Sequence, residues 1–166
     1  LDLASVRGER TLPLASFYTG YRQTALAVDE VLVRIRIPAP QPDERVCVYK
    51  VSKRFEDDIS AVCLAVHLQL ADGVVEQVRI GAGGVAATPA RAYRTEACLQ
   101  GKPWNEASVQ QAMTTLRAEF QPISDLRASS AYRTELLGRL LQRFWRESQG
   151  HAHIRLDELA LADERP

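Results

Sequence analysis

The chain has 166 residues, and its 21 basic side chains are balanced by 21 acidic ones, for a formal charge of zero. That length suits one domain, or one domain and part of another, with a core large enough to need no staples. The charge balance argues against a nucleic-acid binder, which draws on an excess of Lys and Arg, and against a polybasic membrane anchor; no run reaches the ~20 apolar residues that cross a bilayer.

The amino terminus, Leu1-Asp2-Leu3-Ala4-Ser5-Val6-Arg7, lacks the basic and apolar regions of a signal peptide. The one methionine is Met113 and the chain opens on Leu1, so a preceding segment is expected. Thr11-Leu12-Pro13-Leu14 and residues 32–37 read as strand material. In the second run Arg34 and Arg36 alternate with Val33, Ile35 and Ile37, which predicts one face on a core and one in solvent. Between them Phe17-Tyr18-Thr19-Gly20-Tyr21-Arg22 forms an aromatic turn around a glycine. Residues 1–37 hold too few elements to bury a sheet alone and need a neighbour.

Pro38, Pro40 and Pro42 make residues 38–44 an exposed connector. Beyond it residues 45–51 predict a strand, and residues 60–70 a second with Val62, Leu64, Val66, Leu68 and Leu70 on one face. Asp72-Gly73 suits a turn that needs positive φ, so residues 74–80 return antiparallel. Three helices follow. Thr88-Pro89 supplies an amino-terminal cap with Pro in the first helical position, and Gly101 a stop. Asn105 or Ser108 opens the next helix, which runs to about Phe120. The last begins at Ser129 or Ser130, with Tyr132, Leu136, Leu140 and Phe144 recurring on one side. Strands followed by helices imply an α+β fold: an antiparallel sheet of about three to four strands with a three-helix layer on one side. Residues after Gly150 form a tail, with a short helix around residues 156–161 or none.

The densest polar constellation joins the first two strands after the connector: Lys50-Val51-Ser52-Lys53-Arg54-Phe55-Glu56-Asp57-Asp58-Ile59. Two readings fit it. One is a solvated turn with mixed, weak ion pairs; the other is a loop that places Lys50 or Arg54 near an anionic cofactor. Ile80-Gly81-Ala82-Gly83-Gly84-Val85-Ala86 lacks the order of a phosphate loop and reads as a strand end packed closely on its neighbours. His67 falls opposite the apolar set, as an exposed or edge histidine. His151 and His153 lie in the tail with too few other ligands for a metal. Cys47, Cys63 and Cys98 follow no metal or disulfide spacing, which points to reduced thiols and a cytoplasmic setting. Trp104 and Trp145 read as packing residues. On these grounds the chain is a soluble α+β module with no self-contained active site.

Several strings, taken in order, resemble the carboxy-terminal part of the FAD-carrying subunit of xanthine dehydrogenases, which are molybdenum hydroxylases. They are Phe17-Tyr18-Thr19-Gly20-Tyr21-Arg22, Asp29-Glu30-Val31-Leu32-Val33 and Ile37-Pro38; then Tyr49-Lys50-Val51-Ser52-Lys53-Arg54 with Glu56-Asp57-Asp58-Ile59. Gly83-Gly84-Val85-Ala86-Ala87-Thr88-Pro89, Pro122-Ile123-Ser124-Asp125-Leu126-Arg127-Ala128-Ser129, Arg133 and Phe144-Trp145 continue the match, over roughly residues 3–147. The resemblance implies that residues 1–38 are the end of an FAD-binding domain. It also implies that residues 45–148 are a domain like the CO dehydrogenase flavoprotein carboxy-terminal domain, with 149–166 as a tail. Leu32 and Lys50 match FAD-binding positions, and Arg54 and Asp57 fall on a loop beside the flavin and the route for NAD. Phe55 stands where animal relatives have Arg, so their loop-based choice between NAD and oxygen does not transfer.

No Gly-rich FAD diphosphate segment and no cysteine sets for iron–sulfur clusters occur in the chain, so the implied FAD site is incomplete here. The implied partners are the remainder of the FAD and iron–sulfur subunit, a molybdopterin-binding large subunit and NAD, with iron–sulfur clusters and molybdopterin held elsewhere in the parent complex. Two other readings are kept. One is the flavin subunit of a related hydroxylase acting on carbon monoxide or an aromatic acyl-CoA; the other is a noncatalytic subunit-docking domain.

Overall fold

The computed structural model describes residues 1–54 and 59–151. Nine strands and three helices are defined among them. The first five strands are short: β1 (Asp2–Ser5), β2 (Gly8–Thr11), β3 (Tyr18–Gly20), β4 (Gln23–Thr24) and β5 (Val31–Arg34). They form a three-stranded sheet in the order β2-β1-β5 and a separate β3-β4 hairpin. The strand expected at residues 11–14 ends at Thr11 instead. Pro13 contributes no N–H to a ladder, and Leu14–Ser16 turns as a short 3-10 helix.

β5 also departs from expectation. Its pattern predicts one covered face, yet Val31, Leu32, Val33, Ile35 and Ile37 are all exposed. Among the described residues β5 has one paired edge, against β1, and its own apolar side chains stay uncovered, while Leu3 on β1 and Phe17 are buried. Polar pairing adds to the order of this sheet. Asp2, nearly fully buried, accepts from Thr11 Oγ1 at 2.9 Å, Arg34 at 3.1 Å and Arg36 at 2.8 Å. The Arg36 hydrogen bond is the main cause that holds its carboxyl below the usual range.

After the proline connector, β6 (Glu44–Val51), β7 (Val62–Ala71), β8 (Val74–Gly83) and β9 (Ala90–Arg91) form an antiparallel meander in that spatial order. The β7-β8 turn is the one the sequence announces: Asp72 and Gly73 both have positive φ, 50° and 76°, as a two-residue hairpin of this hand requires. Alternation decides which face is buried. Val62, Leu64, Val66 and Leu68 on β7 are at most 1% exposed and pack with Tyr49, Val75, Val78, Ile80 and Ala82. Each fully buried Val, Leu or Ile among them contributes roughly 1.5–3 kcal/mol.

The helices α1 (Tyr93–Leu99), α2 (Glu106–Glu119) and α3 (Ser130–Ser148) cover that face. The expected Thr88-Pro89 helix start is corrected: Ala90 and Arg91 pair with β8 and Ala92 N donates to Ile80 O, so the helix waits until Tyr93. Its free amides find an unusual partner. Glu119, at the end of α2, accepts from Arg94 N, Thr95 N and Thr95 Oγ1 at 2.6–2.9 Å. Asn105 and Ser129 cap α2 and α3 through their side chains as expected. On α3 the buried row is Arg133, Leu137, Leu140, Leu141 and Phe144, while Tyr132 is half exposed. Trp104 packs edge-on to Phe144 with its Nε1 donating to Ser148 Oγ at 2.8 Å. The helix expected near residues 156–161 lies outside the described residues. Among the described residues no helix is long and apolar enough to cross a membrane.

Candidate functional site

Among the described residues the meander buries one face and leaves the other without a layer of helices. Register places three rungs on this second face: Lys50 beside Cys63 and Gly83, Val48 beside Ala65, Gly81 and Arg91, and Val46 beside His67 and Arg79. Their neighbours along each strand, Tyr49, Leu64 and Ala82 among them, point into the core. Val46 and Val48 are more than 60% exposed. Small residues make the floor of the two upper rungs, and a Cβ added at Gly81 would meet nothing within 4 Å. The result is a largely apolar strip bordered by Lys50 at one end, by Glu44, His67 and Arg79 at the other, and by Arg91 along its β9 side.

His67 is not the exposed or edge residue that its sequence position suggests. β7 lies between β6 and β8, so the imidazole is mostly covered, with Nε2 3.1 Å from Glu44 Oε1. Its Nδ1 is buried and has no protein partner. Glu44 also accepts from Gln41 N at 2.9 Å, and that amide, then His67, holds its carboxyl below the usual range. Among the described residues no cluster of His, Cys, Asp or Glu could hold a metal ion.

Lys50 is exposed on the last full rung but one of β6. Leu32, 40% exposed, sits on the other sheet. Two hollows border β6 and contain neither residue; one of them, about 310 Å³, lies between β6 and the end of α3. Arg54 follows Lys50 on the same connection, where its carbonyl accepts from Ser52 Oγ at 2.8 Å. Lys50 and Arg54 are thus brought together by one strand end, and Leu32 is not. Asp57 lies outside the described residues.

The feature that the sequence reading passed over is the fastening below this loop. Arg133 is 3% exposed and donates to Ala61 O at 2.5 Å, Gly84 O at 3.0 Å and Asp125 Oδ1 at 2.6 Å. Gly84, at φ +77°, must be glycine here, because a Cβ would run into Ala61 O and the Arg133 guanidinium. Asp125 orders its own loop by accepting from Arg127 N at 2.8 Å and Ala128 N at 3.1 Å. The Arg127 amide is the largest cause, with Ala128 and Arg133 assisting, that brings the Asp125 carboxyl down to about 2. A signal for this clamp was present: Arg133 falls in the apolar row of α3, four residues before Leu137, where an arginine is rarely buried unless paired. Here its two terminal nitrogens are paired and its Nε is buried without a partner.

The described residues thus form a four-stranded antiparallel meander with a three-helix layer packed on one face. The chain belongs to the CO dehydrogenase flavoprotein C-terminal domain family, whose model matches residues 47–148. It is 33% identical over 139 residues to the xanthine dehydrogenase FAD-binding subunit of Escherichia coli O157:H7, covering 82% of this chain and 47% of that protein. With the nicotinate hydroxylase of Emericella nidulans it is 36% identical over 144 residues, 82% of this chain and 11% of that protein. A carbon monoxide dehydrogenase structure from Hydrogenophaga pseudoflava aligns with a TM-score of 0.81 at 34% identity, over 86% of this chain and 49% of that one. The chain therefore spans at most about half the length of these relatives.

Proposed function

We propose that this chain is part of the FAD subunit of a xanthine dehydrogenase and forms one wall of its flavin pocket. The carrying observation is Lys50, an exposed cation at the border of an uncovered strip built from Val48, Cys63, Ala65, Gly81 and Gly83. A planar, partly anionic flavin nucleotide suits that combination: apolar atoms can lie against a flat ring, and an ammonium can pair with a phosphate or carbonyl oxygen. FAD, when bound, supplies the redox chemistry that links molybdenum and iron–sulfur centres to NAD. The chain's own residues bind and orient. Lys50 fixes one polar edge, the strip excludes water from one ring face, and Leu32, on the end of an FAD-binding domain formed by residues 1–38, adds an apolar contact. Arg54 and Asp57 belong to the access loop, beside the route for NAD.

The row of exposed apolar residues on β5 supports the same reading, because it calls for the rest of an FAD-binding domain as its cover. Other partners would be an iron–sulfur unit and a molybdopterin-binding subunit, and three free cysteines support a reducing, cytoplasmic setting. A carbon monoxide dehydrogenase is the second reading, favoured by the structural match above. This domain does not touch the organic substrate, so both readings use Lys50 alike.

The test is Lys50→Ala in the complete polypeptide that carries this chain. Flavin content should fall, with the unfolding midpoint of the flavin-free form unmoved; unchanged flavin content and unchanged NAD reduction would remove Lys50 from the site. The 166-residue chain alone should show no saturable binding of FAD at micromolar concentration, and tight stoichiometric binding would contradict a one-walled pocket.

A further inference from the structure

We propose that the 122–129 segment is a strut that sets the position of the Lys50 end of β6, with Lys53 and Arg133 as its positioning residues. The inference rests on the flavin reading above and goes beyond it, since neither residue lies on the strip itself. Both ends of the β6-β7 connection are tied to this one segment. At the leading end Lys53 Nζ donates to Leu126 O at 2.9 Å. At the trailing end Arg133 holds Ala61 O and, through its other nitrogen, Asp125. Ala61 N in turn donates to Val51 O at 2.7 Å, which closes the base of the connection one rung beyond Lys50.

The segment is stiff enough to serve, although it has no regular secondary structure. Pro122 is buried. Asp125 N donates to Ala128 O at 3.1 Å, and the Asp125 carboxylate takes two amides in return. Ser124 Oγ accepts from Ser130 N at 2.8 Å, welding the segment to the first turn of α3. Side-chain-to-backbone bonds of this kind fix a loop as a turn fixes a hairpin. A cation that meets a cofactor works only if its backbone is held in place beforehand, since misplacement of about 1 Å forfeits much of the interaction. The strut supplies that holding from behind the sheet end, with no contact to the ligand.

Lys53 gives the clean test, because its side chain is exposed and its loss leaves no buried group unpaired. In the complete polypeptide, Lys53→Met should raise the dissociation constant for FAD about tenfold, with the unfolding midpoint of the flavin-free form unchanged. Lys53→Arg, which can still reach Leu126 O, should restore binding. If Lys53→Met binds FAD like the wild type while Lys50→Ala binds it weakly, the strut is refuted and the flavin reading stands. If Lys50→Ala also binds FAD normally, the flavin reading itself fails. If affinity and unfolding midpoint fall together in Lys53→Met, or Lys53→Arg does not rescue, the tie is merely structural and the proposal is overturned.

Discussion

Replacing Arg133 with Met removes a buried guanidinium while keeping a long apolar stem in its place. Three hydrogen bonds go with it, to Ala61 O, Gly84 O and Asp125 Oδ1. Asp125 is partly solvated and keeps its two amide donors, so its share can be set aside. The two carbonyls remain, Ala61 O buried and Gly84 O only partly so; each loses a charged donor, and an unpaired buried acceptor costs about 1–3 kcal/mol. Breaking a buried charged network from one side costs about 3–5 kcal/mol, so a loss of about 3–4 kcal/mol is expected. For a chain of this size that lowers Tm by roughly 6–16 °C. Guanidinium unfolding followed by the fluorescence of Trp104 and Trp145 measures it, with an unchanged slope showing that the same surface unfolds. Arg133→Lys keeps the charge but not the fork and should fall between the two. A loss below about 1 kcal/mol for Arg133→Met would show that the sheet and helices hold this corner without the clamp, as buried ion pairs replaced by apolar groups sometimes allow.

Two glycines with nearly equal φ should respond differently to alanine. Gly73→Ala meets nothing within 4 Å and should cost only the left-handed backbone penalty, about 1–2 kcal/mol. Gly84→Ala adds a collision with Ala61 O and should cost clearly more; equal losses in thermal unfolding would mean the chain shifts there freely. Acid titration tests Asp125. Its folded carboxyl is brought down to about 2 from 3.8, so the stability it contributes is complete above about pH 4 and lost as pH falls through about 2. Asp125→Asn should therefore lose stability at neutral pH and show a flatter decline between pH 4 and 2 than the wild type; parallel curves would refute the assignment.

Much of the fold is written in local pattern. The period of two across Val62, Leu64, Val66 and Leu68 placed β7, Asp72-Gly73 placed the hairpin, and Asn105 and Ser129 placed two helix starts. Three of the misreadings trace to tertiary context that local pattern does not carry. Thr88-Pro89 has the composition of a helix start, but β8 offers an edge that captures Ala90 and Arg91. Residues 32–37 have the alternation of a half-buried strand, but among the described residues nothing covers their apolar side chains. His67 was read by its face and not by its place between two strands. For the candidate site, the resemblance pointed to Lys50 and Arg54, which one strand end carries, whereas the Arg133–Asp125 clamp left only the trace of an arginine in an apolar row. Its members come from distant stretches, and only the folded chain brings residues 61, 84 and 125 around one guanidinium.

The cap that Glu119 lends to α1 makes the first helix conditional on the second. Seven residues are too few to hold a helix in water, and Ala92 offers no side-chain oxygen of its own. Whatever loosens the last turn of α2 therefore uncaps α1 as well and exposes Leu99 beneath it. The two helices are therefore expected to melt together, which amide exchange along α1 and α2 would show as equal protection.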